Sequence, residues 1–488
     1  MILLFIVLIP IIFSFFCVLP KQTKITQWIA SCAIVLMSLL AFISCFYVLT
    51  SGKILFLSNI FAIDLLSVPF VLVIAIVSLI CSISSIGYVN RDIEINEMKK
   101  SYVKPFYVLL LLFVCTMYLS VLCQNLGLIW VSIEATTVIS ALLVGFYRKR
   151  ASLEAAWKYI ILCTVGIAFA LVGLILIYQA EQISLFNGVE TLNWFKLISY
   201  GKNLDPNLMK ISFIFIMVGY GTKAGIFPMH TWLPDAHGQS PAPISALLSG
   251  VLLNCAVYAI LRHHLLLSSA VGSGFSSNLL LGFGALSMIF SVPFILTQRD
   301  IKRLFAYSSV EHMGIILIGF GLGNFFGVLG AILHMFNHSI GKSTLFLSTG
   351  SIVKRYGSNN IARLKGIGQT KPITSIIFLC VLLAIAGSPP FGLFLSEMYI
   401  AYAIFQKFGF FPGIVYLTLI ATVFAAFMYY LGKMYFSNQR PDFKFKERIG
   451  LQHIFLSIPI IILIITGCFL TPSINIISKI VEYFMRGI

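Results

Sequence analysis

The feature that most constrains this chain is a series of apolar runs about 20 residues long, the length that carries an α-helix across the hydrocarbon core of a bilayer. Fourteen are read: 2–19, 27–49, 62–88, 105–123, 125–146, 156–179, 209–228, 243–262, 275–297, 304–323, 325–350, 372–404, 411–432 and 451–470. In lipid every backbone N–H and C=O must be satisfied inside the protein, so such runs fold as helices. Composition agrees. The chain is 59% hydrophobic and 10% charged, with mean hydropathy +1.00, where a soluble domain is about 25% charged. A soluble enzyme, a disordered chain and a nucleic-acid-binding module are excluded. The expected fold is an all-α polytopic membrane protein of about fourteen transmembrane helices, with residues 1–488 in a single transmembrane domain. The first run lacks a basic flank and a small-residue cleavage site, so it is expected to be span 1 rather than a signal peptide.

The net charge of +17, from 33 Lys+Arg against 16 Asp+Glu, sorts by side. With the N-terminus placed outside, alternating loops put twenty-two of the 33 basic residues inside, among them Arg91, Lys149, Lys354 and the last loop's Lys433, Arg440, Lys444, Lys446 and Arg448. Outside segments hold eight, including Arg262, and three (Lys158, Lys223, Lys342) sit at membrane depth. Lys/Arg excess marks cytoplasmic loops. The expectation is a bacterial-type cytoplasmic (inner) membrane, both termini outside, and no nucleic-acid partner. The ten cysteines lie singly, without a CxxC or Cys/His metal spacing. No iron–sulfur, zinc or disulfide framework is expected, and no redox cofactor or nucleotide on this chain.

Spans 7 and 12 are interrupted, at Gly225 to Pro228 and at Gly387 to Pro390. Proline removes a helix hydrogen bond, and in lipid the freed carbonyls need partners in protein or a wet cavity. Breaks five spans apart suggest two repeats of five helices, over 104–262 and 275–432, flanked by 1–88 and 451–488. An odd repeat length makes their topology inverted. Paired broken helices point to an ion or substrate site at mid-membrane; the alternative is a packing kink in each.

An ionisable side chain at the bilayer centre costs roughly 2.5–3.5 kcal/mol on insertion scales, so each is a candidate for function. Glu134 lies in mid-span 5 and Lys223 just before the first break. If they face each other, the carboxylate holds the lysine proton; moved apart, the uncompensated charge is costly and the proton leaves. The alternative is a structural ion pair. Span 11 carries His334, His338 and Lys342 at i, i+4 and i+8, one stripe about 12 Å long. It suits a proton wire; the alternative is two core histidines and an inward-snorkelling lysine. Glu397, after the second break, is either the last proton site or a cap for the second half-helix. Glu311 and His312 either face the same cavity or pack away from it. Glu154 and Lys158 make an i, i+4 helix pair, although Lys158 could act on Lys223 or Glu134. Asp64 is expected at the interface. His230, Asp235 and His237 form either a way in for protons or a turn leading into span 8. Their spacing is a weak metal pattern, and no metal is expected.

The segments WVSIEATT around Glu134, KAGIFPMHTWLPDAHGQSPAPISALLSGVLLNCAVYAILR from Lys223, DIKRLFAYSSVEHMG and HMFNHSIGKSTLF carry a resemblance. The chain resembles the antiporter-like membrane subunits of respiratory complex I, Mrp cation/proton antiporters and membrane-bound hydrogenases, over nearly its whole length. Through IEATTVISALLVGFYRKRASLEAAWKYIILC it is most similar to the component F group of hydrogenase-4 and formate hydrogenlyase-type complexes. The resemblance implies fourteen helices, two inverted five-helix repeats and a line of charged, wet residues at mid-membrane. It implies that Glu134 and Lys223 are the span 5 and span 7 pair. His334, His338 and Lys342 would be the span 11 relay, and Glu397 the terminal span 12 charge. Two departures matter. A position often Lys or His in span 8 is Asn254 here, which cannot hold a proton through turnover. No long lateral C-terminal helix is read after span 14, so a subunit other than the largest of complex I is expected. The resulting expectation is a proton-translocating, non-redox subunit of a redox-driven membrane complex. Any Fe–S, Ni–Fe or flavin group would sit on partner membrane and peripheral subunits, and H⁺ or Na⁺ would be the coupling ion. The rivals are an Mrp-like Na⁺(K⁺)/H⁺ antiporter subunit, the proton-conducting membrane half of an inorganic-carbon uptake system, and a scaffold whose charges no longer conduct.

Overall fold

The computed structural model of the chain describes residues 1–57, 60–184, 192–437, 447, 450–469 and 471–488. Arg440, Lys444, Lys446 and Arg448 of the last basic loop, and the final residue of the predicted span 14, lie outside the described residues. Twenty α-helices run in order: α1 (Ile2–Val18), α2 (Thr23–Ser51), α3 (Ser67–Glu94), α4 (Val103–Leu122), α5 (Leu126–Val144), α6 (Arg150–Ser184), α7 (Trp194–Ser199), α8 (Pro206–Ala224), α9 (Trp232–Gln239), α10 (Ala242–Leu247), α11 (Leu253–Val271), α12 (Gly274–Thr297), α13 (Ile301–Leu322), α14 (Phe325–Tyr356), α15 (Ile367–Thr370), α16 (Pro372–Ile385), α17 (Gly392–Phe408), α18 (Phe410–Tyr435), α19 (Leu451–Cys468) and α20 (Thr471–Met485).

Each of the fourteen apolar runs is helical over most of its length. Among the described residues nine helical segments are long and apolar enough to cross a membrane, and α1, α16 and most of α19 are shorter apolar helices. The chain is a multi-pass membrane protein. The long helices α8 and α14 are not among the nine, because they carry Lys223 and the His334, His338, Lys342 stripe. Two boundaries differ from the sequence reading. Residues 61–63 are not the start of span 3 but a short strand, β2 (Phe61–Ile63), paired antiparallel with β1 (Ile54–Phe56) in the register Ile54 to Ile63. The helix begins at Ser67, where the Asp64 carboxylate accepts from the Ser67 N–H at 3.0 Å. Beyond span 14, α20 buries Ile480, Val481 and Phe484 on one side and exposes Ile476 on another.

The alternation of loops read from the charge pattern is visible in their contacts. Lys149 pairs with Glu97, Ile361 N–H donates to Arg299 O at 2.9 Å, and Asp300 bridges Asn360. These predicted inside loops form one basic end. At the far end, Gln124 N–H donates to Ile60 O and Trp194 N–H to Gln124 O, both at 2.9 Å. Between the ends, α14 is almost wholly buried. The stretches α4–α11 and α12–α18 each contain a broken helix with the same local device. Gly225 and Gly387 take left-handed φ of 71° and 72°, each three residues before a proline. Helices α12 and α13 cross closely at two glycines: a Cβ on Gly284 would lie 2.8 Å from Gly314 O. Small residues at a crossing let backbones approach in this way.

Both ends are tied by buried ion pairs that the sequence placed at the surface. Asp64 is not solvent-exposed at its end of the molecule, and Arg262 lies within α11 and not in a loop. They are 1% and 0% exposed, and both guanidinium nitrogens donate to the carboxylate at 2.7 Å. Tyr483 of α20 donates to Asp64 at 2.9 Å, and the guanidinium lies 4.2 Å from the Trp194 ring. At the basic end Lys354 pairs with Asp92 at 2.7 Å, and Tyr147 donates to the same carboxylate at 2.9 Å. A bidentate, fully hydrogen-bonded pair is the geometry that repays desolvation. Also at this end, Glu447 accepts from the Ile373 and Thr374 N–H groups at 2.9 and 3.1 Å, at the N-terminus of α16, and its carboxylate meets His453 of α19 at 3.2 Å. Burial pushes the Glu447 carboxyl up, but its hydrogen bonds with His453 and Thr374 and the Lys371 charge outweigh that and hold its pKa at about 2.

Breaking one partner of a buried pair leaves an uncompensated charge. Arg262→Met is expected to cost about 3–5 kcal/mol, read as thermal unfolding of the purified chain in detergent, with Arg262→Met/Asp64→Asn losing less than Arg262→Met alone. Because the Glu447 carboxyl is depressed on folding, its stabilisation is present above the ordinary carboxylate pKa of about 4.3 and is lost as pH falls toward the folded value. Melting temperatures of wild type and Glu447→Gln should therefore differ at pH 7 and converge as pH falls through 4 toward 2.

Candidate functional site

Helix α8 ends at Ala224 because Gly225 turns left-handed, which puts Lys223 in the last helical turn. A cation is favoured there by the helix dipole. Lys223 is fully buried. Its Nζ donates to Thr137 Oγ1 of α5 at 2.7 Å and to the Tyr159 hydroxyl of α6 at 2.6 Å, with the Tyr159 ring centroid 4.8 Å away. Ser140 Oγ lies 2.7 Å from the Tyr159 hydroxyl and donates to Thr136 O. The tyrosine therefore accepts from the lysine and donates onward to the serine. The Glu134–Lys223 pair read from the sequence is not formed. Glu134, partly buried, instead accepts from Thr164 Oγ1 of α6 at 3.2 Å, and its Oε2 has no partner among the described residues. Two hydroxyls on α5 and α6 take up the lysine's donors, which leaves the carboxylate a separate position.

A second cluster gathers on α13, α14 and α17. His334, His338 and Lys342 share one face of α14, as their spacing predicts, and all three are fully buried. Lys342 Nζ donates to Phe305 O at 3.0 Å and to Ser308 Oγ, both on α13. His312 Nδ1 lies 2.8 Å from His334 Nε2, and the His312 and His338 ring centroids are 5.0 Å apart. His312 thus faces the stripe, one of the two readings left open. Glu311 is buried beside it with Oε2 unpartnered among the described residues. Glu397 does not cap the second half-helix: the N-cap position is Phe391, without a side-chain cap. Its buried carboxylate lies instead against Gly387 in the break, where a Cβ would sit 2.1 Å from Oε2.

Asn254 lies between the clusters. A widened helical turn over Leu248–Leu252 precedes it. Its amide donates to Gly250 O at 2.9 Å and to Ser339 Oγ of α14 at 2.7 Å. Ser249 and Ser309 hydroxyls meet at 2.8 Å beside it. The remaining candidates divide. His237 is fully buried, stacks on Phe346 at 4.9 Å, and has neither ring nitrogen partnered among the described residues. His230 is boxed by Phe227 and Phe294 at 5.5 and 6.0 Å. Asp235 turns to the surface and pairs with Lys158 at 3.4 Å and Arg303 at 3.3 Å, so these three do not converge on a metal. Lys158 also pairs with Glu154 at 2.8 Å and is half-exposed, the helix-pair reading. Tyr159, Thr137, Ser140, Ser308 and Ser396 were not singled out from the sequence. Their signal is hydroxyls inside apolar runs at helical spacing, which core packing also produces.

Two kinds of buried charge are thus present. Asp64–Arg262 and Asp92–Lys354 are neutralised by partners. Lys223, Lys342, Glu311 and Glu397 make no ion pair among the described residues. They are held by hydroxyls, carbonyls or nothing.

Comparison with known proteins adds a family. Residues 123–429 match the family described as NADH:quinone oxidoreductase/Mrp antiporter, TM. A hydrogenase-4 component F homolog from Methylacidiphilum infernorum is 41% identical over 347 residues, covering 71% of this chain and 73% of that protein. NADH-quinone oxidoreductase subunit M from Rickettsia typhi is 30% identical over 335 residues, 69% of this chain and 64% of its own length. A chain of respiratory complex I from Thermus thermophilus superimposes with TM-score 0.84 at 20% identity, covering 100% of this chain and 99% of that one, which speaks for the fold.

The contact between Gly387 and Glu397 can be tested. Left-handed backbone costs a non-glycine residue about 1–2 kcal/mol. Gly357 pays only that in an alanine variant, because nothing lies within 4 Å of its Cβ position. Gly387→Ala must also displace the Glu397 carboxylate. It is expected to lower the melting temperature measurably further than Gly357→Ala.

Proposed function

The chain belongs to the transmembrane family of NADH:quinone oxidoreductase and Mrp antiporter subunits, and from that premise we propose that it is a proton-translocating subunit of a redox-driven complex, of the hydrogenase-4/formate hydrogenlyase or NADH-quinone oxidoreductase type. The carrying observation is the set of buried charges left without ion pairs beside two broken helices. A charge kept only for structure is neutralised; one that must gain and lose a proton is held by groups that tolerate both states. Lys223 with Thr137 and Tyr159 forms one protonation site, and Glu134 is its mobile counter-charge. Swung toward Lys223 it favours the charged lysine; turned to Thr164, as here, it leaves the proton free to move. Lys342, His338, His312, His334 and Glu397 form the second site, with imidazoles spaced for transfer along α14. His237, buried next to Phe346, joins the second site to the basic end.

In this reading the chain does no redox chemistry, and redox groups sit on partner subunits. Those partners dock against apolar flanks such as that of α5 and α6, where Val131, Val138 and Trp157 are exposed. The chain lies in the cytoplasmic membrane, with the basic end inside and both termini outside. The relatives described as hydrogenase-4 and NADH-quinone oxidoreductase components support the redox-driven reading over an Mrp-type antiporter.

The test is ion pumping by the intact parent complex in membrane vesicles, followed with a pH-sensitive dye alongside donor oxidation, with and without Na⁺. Lys223→Ala and His338→Ala should each lower pumping about tenfold or more with assembly unchanged, while the exposed Lys21→Ala should not. Dependence on Na⁺ would make Na⁺ the coupling ion. Unchanged pumping in both relay variants would sink the reading and leave a scaffold.

A further inference from the structure

We propose that His312, His334 and Glu397 form a binding site for one divalent transition-metal cation of the Zn²⁺ class, buried in the membrane interior between α13, α14 and α17. The sequence offered no such site, because the three residues come from separate helices without a ligand spacing. In the fold, one ring nitrogen from each histidine and one carboxylate oxygen all lie within 4.8 Å of one another, the one group of this kind among the described residues. All three side chains are at least nine-tenths buried. Imidazole nitrogen and carboxylate oxygen at about 2.0–2.2 Å are the ligands zinc takes. Tetrahedral geometry at those lengths puts ligand atoms roughly 3.3 Å apart. The histidine contact of 2.8 Å opens slightly to admit an ion, and the longer separations close.

Two further observations point to a ligand. First, His334 is already oriented as a metal-bound imidazole is. The Ser396 hydroxyl donates to Leu393 O at 2.7 Å, so its oxygen accepts from His334 Nδ1 at 2.9 Å. That fixes the proton on Nδ1 and leaves the Nε2 lone pair facing His312, the arrangement an outer-shell partner imposes on a ligating histidine. Second, Glu397 Oε2 finds no partner among the described residues, and neither does Glu311 Oε2 on the residue next to His312. The His312 Nδ1 proton, which here is donated to His334 Nε2, moves to the unpartnered His312 Nε2 when an ion takes Nδ1. Two carboxylates, Glu397 and Glu311, offset the ion's charge, and the Lys342 ammonium is held by Phe305 O and Ser308. Two imidazoles disfavour Na⁺, Mg²⁺ and Ca²⁺, which take oxygen ligands. The site does not depend on the proposed function. Its consequence does: an ion there occupies the lone pairs that transfer along α14 would use, and would arrest it.

The test uses the purified full chain in detergent, with Co²⁺ as the spectroscopic probe and Zn²⁺ as competitor. Wild type should bind one Co²⁺ with the intense visible bands of a four-coordinate site. Zn²⁺ should displace it and Mg²⁺ should not. Glu397→Gln and His334→Ala should each weaken binding at least tenfold with helical content unchanged, and Ser396→Ala should weaken it less. No binding by folded wild type, equal competition by Mg²⁺, or unchanged binding in both ligand variants would overturn the site. In vesicles holding the parent complex, Zn²⁺ should inhibit pumping by wild type. Intact Co²⁺ binding without inhibition would overturn the link to proton transfer and leave the site standing.

Discussion

The rest of this structure depends on the cost of holding charge in a low-dielectric interior. The fold meets that cost in two ways. Where a charge secures helices, a counter-charge sits against it: Arg262 on Asp64 and Lys354 on Asp92. These pairs lie near the two ends, join segments remote in sequence, and are reinforced by Tyr483 and Tyr147. Elsewhere in the interior the charge is instead surrounded by neutral dipoles. Lys223 rests on two hydroxyls and Lys342 on a carbonyl and a hydroxyl. A neutral dipole stabilises an ammonium group less than a carboxylate does, but it also leaves the neutral amine in good company. The first arrangement resists change of protonation and the second permits it.

The broken helices explain where two of the unpaired charges, Lys223 and Glu397, sit. Gly225 ends α8 and leaves Lys223 at a helix C-terminus. Gly387 ends α16 early and, by lacking a side chain, makes room for the Glu397 carboxylate that α17 brings across the break. A continuous helix would have needed a Cβ at that place. The interruption is therefore what allows a carboxylate into the interior, and α14, packed between the two halves, supplies the titratable groups it faces.

Much of this was legible in the sequence because lipid leaves few alternatives. Apolar runs gave the helices, the Gly/Pro interruptions gave the breaks, and the i, i+4, i+8 stripe gave the buried face of α14. The sequence did not reveal partners set by tertiary packing. Glu134 and Lys223 are complementary in charge, yet the lysine is taken up by Tyr159, a residue indistinguishable in the sequence from any other tyrosine in an apolar run. Asp64 lies at the end of a span and Arg262 in the last turns of another, so each alone looks like a surface charge. Only folding shows that the loop carrying one closes over the other. The meeting of His312, His334 and Glu397 is likewise a property of three helices and not of any one of them.

Asn254 decides how the two clusters can communicate. Both of its amide hydrogens are committed, to Gly250 O and to Ser339 Oγ. Ser339 in turn donates to Met335 O at 2.6 Å, so the hydrogen bonds run from the asparagine into α14 and stop at a carbonyl. A proton arriving from Lys223 meets an amide that cannot take it up and a serine whose hydrogen is spent in the backbone. The direct hydrogen-bonded route through Asn254 therefore carries no proton between the clusters, whereas charge acts across it. Loss of a proton at Lys223 alters the field at Lys342 across a well-packed, poorly screened interior, where such an effect reaches farther than in water. On the proposed function, this field couples the two halves of the chain without a hydrogen-bonded bridge through Asn254.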